Sequence, residues 1–114
     1  VGSEMCIRDR YTHEDPSVME ARYEMAAKTT ADLLMDGRSV YSPIVHCHEL
    51  AKRHNLPRDF DFWMKYNISM LRGSAGLIVL CLDGWRDSKG VKTEVGIAND
   101  IYLPVEYCWP KGEE

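Results

Sequence analysis

Apolar and polar positions switch period several times along this chain, and the switches mark out alternating helices and strands. From Asp15 onward, Met19, Tyr23, Ala26, Ala27, Thr30, Leu33 and Leu34 fall on one stripe at helical spacing, closed by Gly37. Asp15 suits an N-cap and Pro16 the first helical turn, so a long amphipathic helix is predicted. Directly after it, Ser39-Val40-Tyr41-Ser42-Pro43-Ile44-Val45 carries β-branched and aromatic side chains and predicts a short strand closed near Pro43. His46 and His48 then fall just past its C-terminal end. A short helix is predicted from Glu49 to His54, a break at Asn55-Leu56-Pro57, and another helix from about Asp59 to Arg72, ended by Gly73 and Ser74. Ala75 to Leu82 is almost continuously apolar, which marks a strand buried on both faces, as in a parallel sheet covered by helices. Asp83 to Gly90 reads as the loop after it, Val91 to Tyr102 as a helix, Leu103 to Cys108 as the last strand, and Lys111 to Glu114 as a polar tail.

Alternating helix and strand with short links means an open α/β sheet, in which ligands bind in the crevice outside the carboxyl ends of the strands. Such a domain normally starts with a strand that becomes an interior member of the sheet. Here that strand should precede Tyr11, where Val1 to Arg10 has no amphipathic period, cap or turn chemistry. Val1 to Asp9 resembles the in-frame translation of a transposase-type sequencing adapter, whose bases ATG-TGT-ATA-AGA-GAC encode Met5-Cys6-Ile7-Arg8-Asp9; a genuine, poorly ordered tail is the plainer alternative. On the adapter reading, residues 1–10 are foreign, the domain runs over 11–109 with a tail at 110–114, and the first strand has been lost by truncation. Its slot would then be filled poorly or not at all by Glu4 to Arg10.

Composition narrows the class. A chain of 114 residues and 13.1 kDa is one domain's worth. With 45% hydrophobic and 28% charged residues and no apolar run near the roughly 20 residues of a membrane span, a soluble domain without a membrane partner is expected. Fourteen basic against eighteen acidic residues give a net charge of −4, and no basic stripe tracks a phosphate backbone, so no nucleic-acid polymer is expected as partner. The four cysteines, Cys6, Cys47, Cys81 and Cys108, lack CxxC spacing and two lie in apolar strand-like runs. With no secretory signal in view, they suit reduced thiols in a cytoplasm.

One carboxylate stands out. At about 100° per residue, Val91, Ile97, Ala98 and Ile101 lie within roughly 60° of Glu94, whereas Lys92, Thr93, Asn99 and Asp100 point elsewhere. Glu94 thus sits at the centre of an apolar face about one turn into its helix. Burying a carboxylate costs several kcal/mol unless it is paired or hydrogen-bonded, though a helix N-terminus offsets part of that. One reading is a capping interaction with backbone N–H groups near Ser88 to Gly90. The other is a carboxylate aimed into the crevice as nucleophile or base. Ser88 and Gly90 prepare the helix start: the hydroxyl can accept or donate, and Gly90 lets backbone amides approach an anion or sugar closely.

The spacing Ser-x-Gly-Val-x-x-Glu-x-x-x-Ala, from Ser88 to Ala98, follows an apolar strand and precedes one containing Leu103-Pro104-Val105. With it, the chain resembles the nucleoside 2-deoxyribosyltransferase-like superfamily, which includes deoxyribosyltransferases and nucleoside 5′-monophosphate N-glycosidases. Ser42-Pro43-Ile44-Val45-His46, Phe62-Trp63, Asp83-Gly84-Trp85 and Ser88 to Glu94 look like a small bacterial and phage family of uncharacterised domains within it. The resemblance covers Tyr11 to about Trp109. It implies a flavodoxin-like three-layer α/β/α fold, a homodimer whose neighbouring subunit helps complete the site, and a glutamate, Glu94 here, that attacks C1′ of the sugar to form a covalent glycosyl-enzyme. That is retaining glycosidase logic, with an oxocarbenium-like transition state and no cofactor. Deoxyribosyltransferases usually place an aspartate where Ser88 stands, whereas the nucleotide N-glycosidases have serine near the phosphate, which favours a nucleotide or hydrolytic reading. The transferases also use an aspartate on the helix before the buried strand. Asn67 is the nearest match; it can orient a base or sugar but cannot act as a general acid. The binding turn of these relatives follows the first strand, and only Tyr11 of it survives here.

The remaining candidates each carry two readings. His46-Cys47-His48 could be a metal cluster, but two histidines at i, i+2 diverge if extended and no further ligand has matching spacing, so no metal is assigned. His46 is expected to face the crevice, and His48 to be solvated or to cap the next helix. Phe60, Phe62 and Trp63 suit core better than a base-stacking platform. Trp85 can stack on a nucleobase or anchor its loop. Asp83 and Asp87 can bind ribose hydroxyls or merely solvate a turn. Asp59 and Asp61 suit a helix start, and Lys89 and Lys92 a solvent-facing surface.

Two function classes follow. The first is an enzyme acting on the N-glycosidic bond of a nucleoside or nucleotide, with Glu94 as nucleophile and Asn67, Tyr11, His46, Asp83, Trp85, Asp87, Ser88 and Gly90 around the substrate. The second is a non-catalytic nucleotide or nucleotide-sugar sensor in which Glu94 grips ribose hydroxyls. For a flavodoxin-type redox domain this sequence offers no phosphate loop, and that reading leaves an inward Glu94 unexplained.

Overall fold

A computed structural model describes residues 4–10, 13–57 and 60–110. Tyr11, Asp59, the side chain of Phe60 and the tail 111–114 lie outside the described residues, and so do the roles assigned to them. In chain order the elements are β1 (Met5–Arg8), α1 (Pro16–Met35), β2 (Val40–Tyr41), α2 (Pro43–His54), α3 (Phe60–Arg72), β3 (Gly76–Leu80), a single 3-10 turn (Trp85–Asp87), α4 (Lys89–Asp100) and β4 (Val105–Cys108). The four strands form one sheet in the order β2-β1-β3-β4, with every pair parallel. Helices cover both faces, giving the open three-layer α/β/α domain that the alternation predicts.

β1 corrects the expectation of a lost first strand. Met5 to Arg8 occupy the interior slot, in register with Gly76 to Val79 of β3 on one side, and Met5 and Cys6 with Val40 and Tyr41 of β2 on the other. Two open ladders leave backbone N–H and C=O groups unpaired, which is costly when buried. A four-residue interior strand needs apolar bulk facing each way, and Met5, Cys6 and Ile7 provide it. Alternation sends Cys6 toward the cluster of Leu71, Leu77, Val79, Val91 and Ala98 beneath α3 and α4. Ile7 joins Ala26, Leu33, Ile78 and Leu80 beneath α1. The same period turns Arg8 back toward α4.

α1 starts as predicted, Asp15 accepting from the Ser17 backbone N–H at 2.9 Å. Thr29 and Thr30 are buried in it because their hydroxyls donate to the Met25 and Ala26 carbonyls one turn back. The predicted stripe runs one position too far, since Leu34 is exposed. α2 corrects the segment after β2. The short strand does stop before Pro43, but Pro43 itself opens a helix, with Ser42 as N-cap accepting from the Val45 N–H, so Ile44 and Val45 are helical and His46, Cys47 and His48 lie in the first turns of α2. α4 begins at Lys89, slightly earlier than its apolar period suggested, because Ser88 caps it by accepting from the Val91 N–H at 3.2 Å.

Candidate functional site

In the order 2-1-3-4 the chain reverses direction across the sheet between β1 and β3, and the carboxyl ends of these two central strands define the crevice. Beyond β1 come Asp9 and Arg10, beyond β3 the loop from Cys81 to Ser88, and against them lies the first turn of α4. The loop makes its turn at Gly84, whose φ of 80° is in the left-handed region. Ser88 then sets the start of α4, and one turn in, Glu94 points inward as its helical phase dictates.

Glu94 has no solvent exposure. Its Oε2 lies 3.2 Å from Arg8 Nη1, itself on a nearly buried side chain, yet neither carboxylate oxygen meets hydrogen-bond geometry with any group. The capping reading is therefore not what the geometry shows: Ser88, not Glu94, takes the free N–H of this helix start. Burial pushes the Glu94 carboxyl above its ordinary range, with the Arg8 charge opposing the shift. Next to it Asp9 is also buried, and both of its oxygens lack partners. Desolvation raises it to about 7 against the pull of Arg8 and Arg22, and the Glu94 charge adds to the rise. Gly90 lies against the same arginine: a Cβ added there would fall on the Arg8 guanidinium. A second guanidinium, that of Arg10, lies over Gly84 and donates from Nη1 to its carbonyl at 3.2 Å.

The sequence candidates divide around this point. Glu94, Ser88 and Gly90 share the first turns of α4, and Asn67 is buried on α3, the neighbouring helix on that face. Asp83 and Asp87 are exposed in the loop at the crevice mouth. Trp85 is only half-buried and turns to β4, its ring 5.4 Å from that of Tyr107 with the Arg86 guanidinium 5.0 Å over its face. This contact fits the loop-anchoring alternative. The expectation for His48 is corrected: it is buried, stacked on Tyr23 at 4.0 Å with Nε2 3.1 Å from Glu20, while His46 is exposed on α2 with its ring beside that of Tyr41. The cause is the earlier helix start, which puts Ile44, Cys47 and His48 on the inner face and His46 outside. Phe62 is exposed and Trp63 half-buried, its indole N–H donating to the Pro57 carbonyl, so neither belongs fully to the core.

Arg8, Asp9 and Arg10 are the site residues that sequence reasoning missed. The available signal was the period-2 run Met5-Cys6-Ile7-Arg8, too short to distinguish from chance. Among the described residues no group of three or more His, Cys, Asp or Glu side chains is arranged to hold a metal ion. Nor is any helix among them long and apolar enough to cross a membrane.

The family model for a domain of unknown function, DUF1937, matches residues 6–108, which takes in all the elements of the sheet. The chain belongs to this family. No curated protein matches it. The match begins at Cys6, so the DUF1937 domain includes the strand that carries Arg8 as well as the helix that carries Glu94.

Proposed function

We propose that this DUF1937 domain acts on the N-glycosidic bond of a (deoxy)nucleoside or nucleoside 5′-monophosphate, with Glu94 as the nucleophile. The observation that carries the reading is a fully buried glutamate at the head of a parallel sheet, one turn into a helix capped by Ser88 and opened by Gly90, with no structural hydrogen bond to account for it. A buried carboxylate with one ion-pair neighbour, Arg8, and no hydrogen bond still costs a fold stability on the order of kcal/mol, and such a cost is found where a function needs the group. In the proposed reaction a Glu94 oxygen forms a bond to C1′ as the bond from C1′ to the base nitrogen breaks, the electron pair leaving with the base, which takes up a proton. Water or a second base then resolves the glycosyl ester. Asn67, without an acidic proton, serves in this reading to orient base or sugar; Ser88, Gly90, Asp83 and Asp87 border the position of the sugar and its 5′ substituent. The homodimer implied by the resemblance belongs to the same proposal.

The test is a 2′-deoxy-2′-fluoro nucleoside monophosphate of each base, which slows resolution and traps the intermediate. Intact mass gains one fluoro-sugar phosphate, peptide mapping places it on Glu94, and E94Q abolishes it. Binding by calorimetry without base release or adduct would instead support the sensor reading, which Asn67 favours.

A further inference from the structure

The buried side-chain nitrogen and oxygen atoms that lack a hydrogen-bond partner, among the described residues, belong to three residues only: Arg8, Asp9 and Glu94. All three lie at the crevice between the β1 and β3 ends. Elsewhere buried polar groups find partners, as Thr29 and Thr30 do. A cluster of unsatisfied buried groups in one place calls for a specific cause. The two glycines bordering the crevice point the same way. Gly90 and Gly84 each leave open the volume of a side chain, and in each case an arginine guanidinium from the end of β1 lies in that volume.

We propose that the end of β1 plugs its own site: Arg8 fills the Gly90 cradle and covers the Glu94 carboxylate, Arg10 fills the Gly84 cradle, and shortening the two side chains opens a cleft in which Glu94 meets solvent and small polar ligands. The inference rests on the reading that Glu94 faces the ligand crevice, and it assigns this chain a closed, self-occluded form. Arg8 supplies bulk for the cradle and charge for the carboxylate without hydrogen-bond geometry to it.

Carboxyl labelling tests it without relying on turnover. Protein is treated with a water-soluble carbodiimide and glycinamide at mildly acidic pH, and coupling at Glu94 is read by peptide mapping. In the wild-type chain Glu94 stays at background while exposed carboxylates such as Glu24 react. In R8A/R10A coupling at Glu94 rises to most of the protein, whereas R8M, which keeps the bulk, stays at background. Far-ultraviolet circular dichroism checks folding. If the double variant does not fold, R8K retains a cation beside Glu94 with a head too small for the Gly90 cradle, and partial coupling is expected. Background coupling in whichever of R8A/R10A and R8K is folded, or equal coupling in R8M and R8A/R10A, overturns the plug. The same experiment in the presence of 2′-deoxynucleoside 5′-monophosphates separates the two proposals. Coupling that nucleotides do not suppress sustains the plug and counts against the nucleotide reading, whereas suppression supports both.

Discussion

The sharpest consequence of the buried cluster is an inverted dependence of stability on pH. Asp9 is fully buried, and its carboxyl is raised from the usual aspartate range to about 7 by desolvation, with Arg8 and Arg22 opposing and Glu94 reinforcing the shift. In the unfolded chain the same group ionises near pH 3.9. Below that value both states are protonated and the shift has no effect. Between the two pKa values the folded state holds a proton that the unfolded state has lost, so stability falls as pH rises. A shift of about three units corresponds to a loss on the order of 4 kcal/mol once pH exceeds the folded value. The part falling between about pH 5 and about pH 8 is about 3 kcal/mol, a large fraction of a typical domain stability of about 5–15 kcal/mol.

Glu94, also raised by burial, adds in the same direction. Asp15, Glu20 and Glu106, whose carboxyls are held below their ordinary range by hydrogen bonds, contribute oppositely and lose their stabilisation at more acid pH. Urea unfolding of wild type and D9N at intervals across this range isolates the Asp9 contribution, because every other group titrates in both. The wild type is expected to lose about 3 kcal/mol more than D9N from about pH 5 to about pH 8, equivalent to a melting temperature lower by roughly 10 °C. Parallel pH profiles would refute the reasoning, and a wild type that gains on D9N with rising pH would mean that Arg8 and Arg22 hold Asp9 ionised in the folded state.

Two further outcomes follow from the same crevice and its strands. Gly90 lies inside α4 with ordinary backbone geometry, so alanine there should stabilise the helix by up to about 1 kcal/mol where space permits; with the Arg8 guanidinium in the way, G90A is expected to cost about 1–3 kcal/mol. In an R8A background the sign of the G90A effect should reverse, and denaturant melts of the four proteins measure the coupling; a G90A effect unchanged by R8A would show that the two groups do not compete for that volume. The thiols should react with iodoacetamide in order of burial, Cys108 at the β4 edge first and Cys6 last, since Cys6 is wholly buried and its thiol is pushed up to about 12. Time-resolved peptide mapping reads the order, and early labelling of Cys6 would mean that β1 leaves the sheet.

What the sequence made legible is what repeats over enough residues to outvote local accident. The twelve residues of α4 carry a period that places Glu94 inward with a single geometric assumption, and the apolar run of β3 announces a central strand. Short elements fail this test. Ser42-Pro43 has two meanings, a strand stop or a cap followed by the first helical residue, and only the helix beyond it decides; choosing the first meaning left His48 at the surface, where the helix instead buries it. Trp85 shows a different limit, because whether a loop aromatic faces a ligand or a neighbouring strand depends on the reach of Tyr107 from the sheet edge, which no local pattern encodes.

β1 is the instructive failure, and it bears on what kind of site this is. Four residues flanked by two strands of defined register can be drawn into a sheet by backbone pairing and three apolar side chains, whatever follows them. The cost appears one residue later, where the strand ends and its continuation must meet the site: Arg8 and Asp9 are buried with unpaired polar atoms beside a glutamate in the same condition. A domain whose local choices agree with its fold satisfies nearly all such groups. From α1 through the Ser88 cap the described chain does so, and at the head of β1 it does not. The conflict therefore lies between the crevice and the residues that follow β1 into it, and the G90A cycle asks the crevice directly: reversal of its sign by R8A would show that the space beside Glu94 is larger than what the arginine leaves.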